Sequence, residues 1–297
     1  MTPAGNARKR VLVLGGSGNI GLLVVEALLP NFDLVATTTS LKKLSQNMGN
    51  LAFLDKNQNL SWIEVDLLDL DFSKFSFSGS GQEKCLEKFS YIVICSGGGG
   101  KRYCEDEPIK SRVLNVLSIK KVLETVADSS TYVVFCSTDL LEVNREPRSA
   151  YENQKLELEN YVAHKFKQHL FLRFGKILDH KDFIGCRWLE QIRLGMALDI
   201  KPELTFSPVL KIQVLTLFSS LLANAPTGKV LVSAGDEWSY ALLARWLRNR
   251  QSLIGLEQYL HLTKKRHIGR FSEIMSTPIA STEEILKTFF SELLKTS

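Results

Sequence analysis

Val11-Leu-Val-Leu-Gly15-Gly-Ser-Gly18-Asn-Ile-Gly21 is the stretch whose reading decides the fold. Four apolar residues with no polar alternation read as a strand buried on both faces. The run Ile20 to Leu29, closed by Pro30, reads as a helix. Between them lies Gly-x-x-Gly-x-x-Gly. Gly15 permits the tight turn, Gly18 lets the backbone approach a pyrophosphate, and Gly21 lets the helix pack closely on the strand. Free N–H groups at the helix start, around Ser17, Asn19 and Ile20, then hold the anion. The alternative is a tight strand–helix turn with no ligand.

Working outward, short apolar runs alternate with amphipathic ones. Strands are expected at Asp33–Thr37, Leu60–Val65, Tyr91–Cys95, Thr131–Cys136 and His169–Arg173, with helices at Ser111–Ala127 and Tyr151–Lys165. A short helix is expected at Gln82–Phe89 and a surface loop at Phe72–Gly81. Continuous apolar strands alternating with helices predict a doubly wound α/β fold, a parallel sheet covered on both faces. After Gly175 the rhythm changes, with helices expected at Phe183–Leu198, Val209–Ala223, Trp238–Arg250 and Thr282–Leu294 and a strand at Lys229–Ser233. Residues 1–175 therefore read as a Rossmann domain, to which the 209–223 helix and the 229–233 strand return. Residues 176–297 read mainly as a smaller, helix-rich substrate lobe.

Composition narrows the function classes. In 297 residues, 44% are hydrophobic and 23% charged, as in ordinary globular proteins. A net charge of +5 is too mild to argue nucleic-acid binding. No apolar run reaches the roughly 18 residues of a membrane span, and the basic start followed at once by glycines does not read as a signal peptide. The five cysteines, Cys85, Cys95, Cys104, Cys136 and Cys186, show no Cys-x-x-Cys spacing; they read as reduced thiols of a cytoplasmic protein. The histidines, at 164, 169, 180, 261 and 267, show no metal-ligand spacing, so no metal site is expected.

An NAD site usually carries Asp or Glu at the end of the second strand, about 20 residues past the glycines. Here Thr37-Thr38-Thr39-Ser40 stands there, followed by Lys42 and Lys43. Hydroxyls and ammonium groups suit a 2′-phosphate, and no carboxylate repels it. NADP is therefore the expected cofactor, with NAD the alternative.

Two Tyr-x-x-x-Lys pairs occur, Tyr151/Lys155 and Tyr161/Lys165. Tyr151 follows the strand Thr131–Cys136 and its exit Ser137-Thr138-Asp139, at the start of a helix. Tyr161 lies roughly 15 Å further along that helix and about 80° around it, so it reads as structural or exposed.

These motifs together resemble the extended short-chain dehydrogenase/reductase superfamily of NAD(P)-dependent epimerase/dehydratase type. The nearest group is that of dTDP-4-dehydrorhamnose reductase, which also contains the regulatory subunit of methionine adenosyltransferase. The resemblance rests on the glycine loop; on Val65-Asp66-Leu67, similar to the family's adenine-contacting Asp-Leu; and on Glu105-Asp-Glu-Pro108 leading to Asn115-Val116. It continues with Ser137-Thr138-Asp139, Tyr151-x-x-x-Lys155-x-x-x-Glu159, Leu172-Arg-Phe-Gly175 and Ala234-Gly-Asp-Glu-Trp-Ser-Tyr240.

The resemblance implies that Tyr151 protonates a carbonyl oxygen as hydride arrives, that Lys155 assists Tyr151 and holds the cofactor ribose, and that Thr138 (or else Ser137) binds the substrate oxygen. It also implies cofactor contacts at Thr38, Thr39, Ser40, Lys42, Asp66 and Leu67. Further contacts are implied at Cys95, Ser96 and Gly97 after the fourth strand, and at Phe174. The substrate implied is a carbonyl compound, such as a nucleotide-linked keto-sugar. Epimerisation or dehydration is one alternative, and a non-catalytic cofactor-binding regulatory subunit is another.

Relatives commonly dimerise through helices equivalent to Ser111–Ala127 and Tyr151–Lys165. This raises a homodimer, in which Lys120, Lys121, Glu157 and Glu159 face a partner or solvent. A nucleotide diphosphate would need cations in the C-terminal lobe, for which Arg187, Arg193, Lys211 and Arg270 are candidates; Lys264-Lys-Arg-His267 reads as surface.

The chain also departs from the family. Thr138 and Tyr151 are 13 residues apart, against some two dozen in the extended branch, leaving a short Leu140–Ala150 loop. Ser96-Gly97-Gly98-Gly99-Gly100 replaces alanines, and Gln213 stands where an acid is expected.

Overall fold

The computed structural model describes residues 8–42, 44, 57–69, 76–77, 85–86, 89–98, 100–142, 148–179, 183–249, 264–265 and 279–296. The chain divides into two compact units, Met1–Arg173 with Val214–Lys229, and Phe174–Gln213 with Val230–Ser297.

The first unit is built on strands β1 (Arg10–Leu14), β2 (Asp33–Thr38), β3 (Leu60–Glu64), β6 (Tyr91–Ile94), β7 (Tyr132–Thr138) and β8 (His169–Phe174). With β12 (Gly228–Val232) they form a seven-stranded sheet in the order β12-β8-β7-β6-β1-β2-β3. The pairs β2–β3, β1–β2, β1–β6 and β6–β7 are parallel. The order reverses direction at β1, the switch point beside which a doubly wound sheet opens its ligand crevice. This is a Rossmann-type α/β fold. Val11, Leu12, Val13 and Leu14 are all 0% exposed, as a central strand covered on both faces requires.

Helix α1 (Asn19–Leu28) follows the glycine loop. Gly100–Asp106 forms α2. The expected helix at Ser111–Ala127 begins earlier and is not uniform: α3 (Pro108–Arg112) passes into a π turn, Val113–Leu117, and then into α4 (Ser118–Val126). Ile119, Val122, Leu123 and Val126 of α4 are fully buried. Their helical spacing puts them on one face, and each such side chain contributes about 1.5–3 kcal/mol when taken from water. Helix α5 (Ala150–Lys165) starts on a capping box, in which Ser149 and Glu152 satisfy each other's backbone N–H groups.

The segment between β3 and β6 departs from expectation. Cys85–Leu86 (β5) is a strand paired antiparallel with Ser76–Phe77 (β4), so neither the Gln82–Phe89 helix nor an unbroken 72–81 loop is found. Pairing across the intervening Gly- and Ser-rich sequence satisfies backbone groups that a single helical turn would leave open. Apart from Phe89, which is buried, the remaining residues of both segments lie outside those described.

The second unit packs α6 (Ile184–Arg193), α8 (Tyr240–Asn249) and α9 (Thr282–Thr296) with short strands. Trp188, Trp238, Trp246, Phe183, Phe206 and Phe290 share its core. Helix α6 ends at Arg193 rather than Leu198, because Gly195 takes φ +67 and Met196 N turns back to Gln191 O at 2.8 Å. The strands β9 (Lys176–Ile177) and β11 (Pro208–Val209) pair in parallel, so α7 (Lys211–Asn224) starts two residues later than expected. Trp238 belongs not to a helix but to β13 (Asp236–Ser239). This strand pairs with β10 (Thr205–Phe206) and with β14 (Lys264–Lys265).

Candidate functional site

The glycine loop is shaped by contacts that exclude side chains. Gly15 takes φ +78, and a Cβ there would lie 2.7 Å from Ser96 N; one on Gly21 would lie 2.1 Å from Gly15 O. Gly15 N donates to Thr37 Oγ1 at 2.8 Å, so Thr37 braces the loop. Gly18 is the N-cap of α1 and supplies no side-chain cap. The first turn of α1 thus has no side-chain cap, with Ser17 and Ile20 half-buried and Gly18 and Asn19 exposed. Beside the loop, Ser96 is 8% exposed and its Oγ has no partner among the described residues. A cradle closed to side chains and an orphaned buried hydroxyl fit a dinucleotide.

Beyond β6, Cys95 N bonds Leu14 O at 2.9 Å, and Cys95 Sγ lies 3.7 Å from Cys136 Sγ on the neighbouring strand. The Cys136 hydrogen bond first, then burial, push the Cys95 thiol well above its usual range. Cys95, Cys104, Cys136 and Cys186 are free thiols. Gly97 faces Lys155: a Cβ there would lie 3.3 Å from Lys155 Nζ. Gly98 N donates to Asn115 Oδ1 at 2.8 Å, and Asn115 Nδ2 donates to Gln154 Oε1 at 2.9 Å. Gln154 in turn donates to Ser111 Oγ at 2.8 Å. The π turn is what presents Asn115 inward, since a wider turn re-aims one side chain without ending the helix. Sequence reading named Asn115 only by resemblance and missed Gln154, because neither spacing nor polarity marks a buried amide relay.

Lys155 Nζ donates to Cys136 O at 3.1 Å and stands 4.7 Å from the Phe135 ring centroid and 5.9 Å from that of Tyr151. Tyr151 is half-buried in the first turn of α5. The two hydroxyls at the end of β7 differ. Ser137 Oγ donates to Glu159 Oε1 at 2.6 Å, so its proton is committed. Thr138 Oγ1 accepts from Leu140 N at 3.3 Å, which leaves its proton for another acceptor. Arg173 closes the buried cluster, bonding Glu159 at 3.0 and 2.5 Å and Glu142 at 2.9 Å. Burial opposes the Arg173 charge, but the Glu159 and Glu142 bonds outweigh it and hold its pKa above the usual value. Glu159 therefore faces Arg173 and neither a partner nor solvent.

Tyr161 is engaged elsewhere, its hydroxyl donating to Glu124 Oε1 at 3.1 Å. Lys120 pairs with Glu157 at 2.9 Å. Phe174, 4% exposed, ends β8 in the second unit. In that unit Lys211 pairs with Asp179, Arg193 with Glu190 at 3.8 Å, and Arg187 is exposed. Gln213 Oε1 accepts from Leu210 N at 2.8 Å, so an amide caps α7 where an acid was expected. Residues 143–147 of the shortened loop, Lys43, Gly99, Arg270 and the Arg266-His267 part of the basic cluster lie outside the described residues.

One expectation at the end of β2, that no carboxylate stands there, is corrected. Thr38 Oγ1 and Ser40 bond each other locally at 3.3 Å, and Thr39 and Lys42 are exposed. A carboxylate does reach this turn: Glu64 Oε2 accepts from Leu41 N at 2.8 Å. It comes from the third strand, so reading the second strand alone could not find it. Asp66 makes a local turn, accepting from Leu68 N at 2.9 Å, and Leu67 O accepts from Ser118 Oγ.

Among the described residues, no three His, Cys, Asp or Glu gather as a metal-holding group, and no helix is long and apolar enough to cross a membrane.

No protein-family model matches this sequence, and a search of curated proteins finds no match. Solved structures do match. A hypothetical dTDP-4-dehydrorhamnose reductase from Sulfolobus tokodaii aligns with TM-score 0.63 at 18% identity, over 92% of this chain and 97% of that one. A UDP-N-acetylglucosamine 4-epimerase from Methanobrevibacter ruminantium, in complex with UDP-N-acetylmuramic acid, aligns with TM-score 0.61 at 18% identity, over 80% of each chain. The Bordetella bronchiseptica enzyme WbmF, in complex with NAD+, aligns with TM-score 0.59 at 17% identity, over 82% of this chain and 78% of that one. At such identity the likeness is one of architecture: the chain shares the Rossmann-type fold of these structures.

Proposed function

We propose that this chain is a nicotinamide-dinucleotide-dependent oxidoreductase of the epimerase/reductase type, reducing a carbonyl, with a nucleotide-linked keto-sugar as the substrate class. The observation that carries the reading is the seat of Lys155. It bridges α5 to the end of β7 through Cys136 O at 3.1 Å, faces Gly97, and stands one helical turn after Tyr151. The substrate class is supported by the neighbours of like fold, one of them solved with UDP-N-acetylmuramic acid.

The glycine loop and the uncapped first turn of α1 would hold the pyrophosphate, and Ser96 Oγ and Lys155 the cofactor's ribose side. When bound, the dinucleotide supplies the hydride. Tyr151 then donates its phenolic proton to the carbonyl oxygen, and the Lys155 ammonium stabilises the phenolate left behind. Thr138, with its proton uncommitted, donates to the same oxygen and orients it. Ser137 is tied to Glu159 and serves as a brace. Residues 176–297 would supply most of the substrate contacts. Thr39, Ser40 and Lys42 support a 2′-phosphate and hence NADP; the Glu64 carboxylate beside them opposes it.

The test is calorimetric titration of the folded protein with NADH and NADPH, followed by a carbonyl panel that includes keto-sugar nucleotides, with Tyr151→Phe as control. Binding of one cofactor and Tyr151-dependent reduction are expected. Failure to bind either cofactor, or full activity in Tyr151→Phe, overturns the reading. Cofactor binding without turnover would favour the regulatory-subunit alternative.

A further inference from the structure

We infer that Glu64 sets the cofactor preference, favouring a ribose with a free 2′-hydroxyl over one carrying a 2′-phosphate, and thus NAD over NADP. The inference rests on the dinucleotide reading given above.

A glycine-loop site places the adenosine ribose beyond the end of the second strand. Here that strand ends at Thr38, and the β2–β3 register pairs Thr38 with Glu64 and Ala36 with Trp62. Side chains two residues apart share a face, so Glu64 stands on the face of Trp62. That is also the face the glycine loop covers: a Cβ on Gly16 would lie 2.8 Å from Ala36 Cβ and 3.2 Å from Trp62 Cζ3. Glu64 is exposed, and its Oε2 accepts from Leu41 N at 2.8 Å, which lays the carboxylate across the turn formed by Thr39, Ser40 and Leu41.

Two consequences follow for a ligand at this corner. A carboxylate accepts up to about four hydrogen bonds, and among the described residues Leu41 N uses one, so Glu64 retains capacity for a ribose hydroxyl. A 2′-phosphate, by contrast, needs donors and positive charge, and it would meet an acceptor-only anion that has already taken the Leu41 N–H. Like charges this close oppose each other, and the opposition is screened by salt. The acid that NAD sites usually carry on the second strand is, on this inference, supplied by the third.

The test measures dissociation constants of NADH and NADPH by calorimetry for the wild type and for Glu64→Gln, which keeps an acceptor for Leu41 N and removes the charge. Circular dichroism confirms that both are folded. The wild type is expected to bind NADH at least tenfold more tightly than NADPH. In Glu64→Gln, NADPH binding should tighten by about tenfold while NADH changes by less than about threefold. The wild-type preference should also shrink as salt rises from about 0.05 to 0.5 M. A wild-type preference for NADPH, or an unchanged ratio in Glu64→Gln, overturns the role of Glu64 while leaving the dinucleotide site standing. Binding of neither nucleotide overturns both.

Discussion

The Lys155 ammonium donates to the Cys136 carbonyl at 3.1 Å, and Ser137 and Thr138 are the next two residues along β7. One bond therefore registers helix α5 against the strand end that carries the Ser137 and Thr138 hydroxyls. Lys155→Met is expected to weaken cofactor binding by about tenfold or more, because both the charge and this registration are lost. Titration calorimetry reads it directly; an unchanged dissociation constant would place Lys155 outside the site.

Tyr151→Phe separates chemistry from binding. Loss of a positioned acid costs about 10²–10⁴ in turnover, while cofactor affinity should stay within about threefold. Tyr161→Phe, whose hydroxyl serves Glu124, should leave turnover unchanged. Loss of turnover in Tyr161→Phe with none in Tyr151→Phe would assign the acid to Tyr161 instead.

The glycines should differ in a graded way. A Cβ on Gly21 meets backbone at 2.1 Å, which cannot yield cheaply, so Gly21→Ala should lose about 2–4 kcal/mol in denaturant unfolding. On Gly97 the Cβ meets the mobile end of Lys155 at 3.3 Å. Gly97→Ala should therefore stay within about 1 kcal/mol of wild-type stability, yet bind the dinucleotide more weakly.

Arg173→Met strips Glu159 of its two charge-assisted bonds in a buried setting and should cost about 3–5 kcal/mol. The double variant Arg173→Met/Glu159→Leu should recover part of that loss, since the stranded charge goes with it. A single-variant cost below about 1 kcal/mol would show that water reaches the cluster.

Tyr161 gives a pH signature. Burial first, then the Glu124 carboxylate, push its phenol up to about 12. A raised pKa in the folded state means that its contribution is whole below the unfolded value near 10 and is lost as pH rises through about 12. Absorbance titration at alkaline pH should show late amplitude from Tyr161 that is missing in Tyr161→Phe, while Tyr132, which burial pushes higher still, stays late in both. If the amplitude lost in Tyr161→Phe lies near 10 instead, the Glu124 bond is absent in solution.

The sequence by itself determined the doubly wound sheet, the glycine turn and the order of the Tyr151, Lys155 and Thr138 motifs. Each of these is encoded locally, in apolar runs, in glycines that exclude a Cβ, and in positions next to strand ends. What it misread or left open depends on partners distant along the chain. Pairing drew Cys85–Leu86 out of a helix. A π turn turned Asn115 toward Gly98 and Gln154. The hydroxyl left open at the end of β7 was decided by Glu159, 22 residues away from Ser137. Most consequentially, the acid beside the turn after β2 is Glu64, 23 residues from Leu41. No pattern within the second strand could reveal it, because only parallel pairing, which joins residues through space rather than through sequence, sets the end of β3 beside the end of β2.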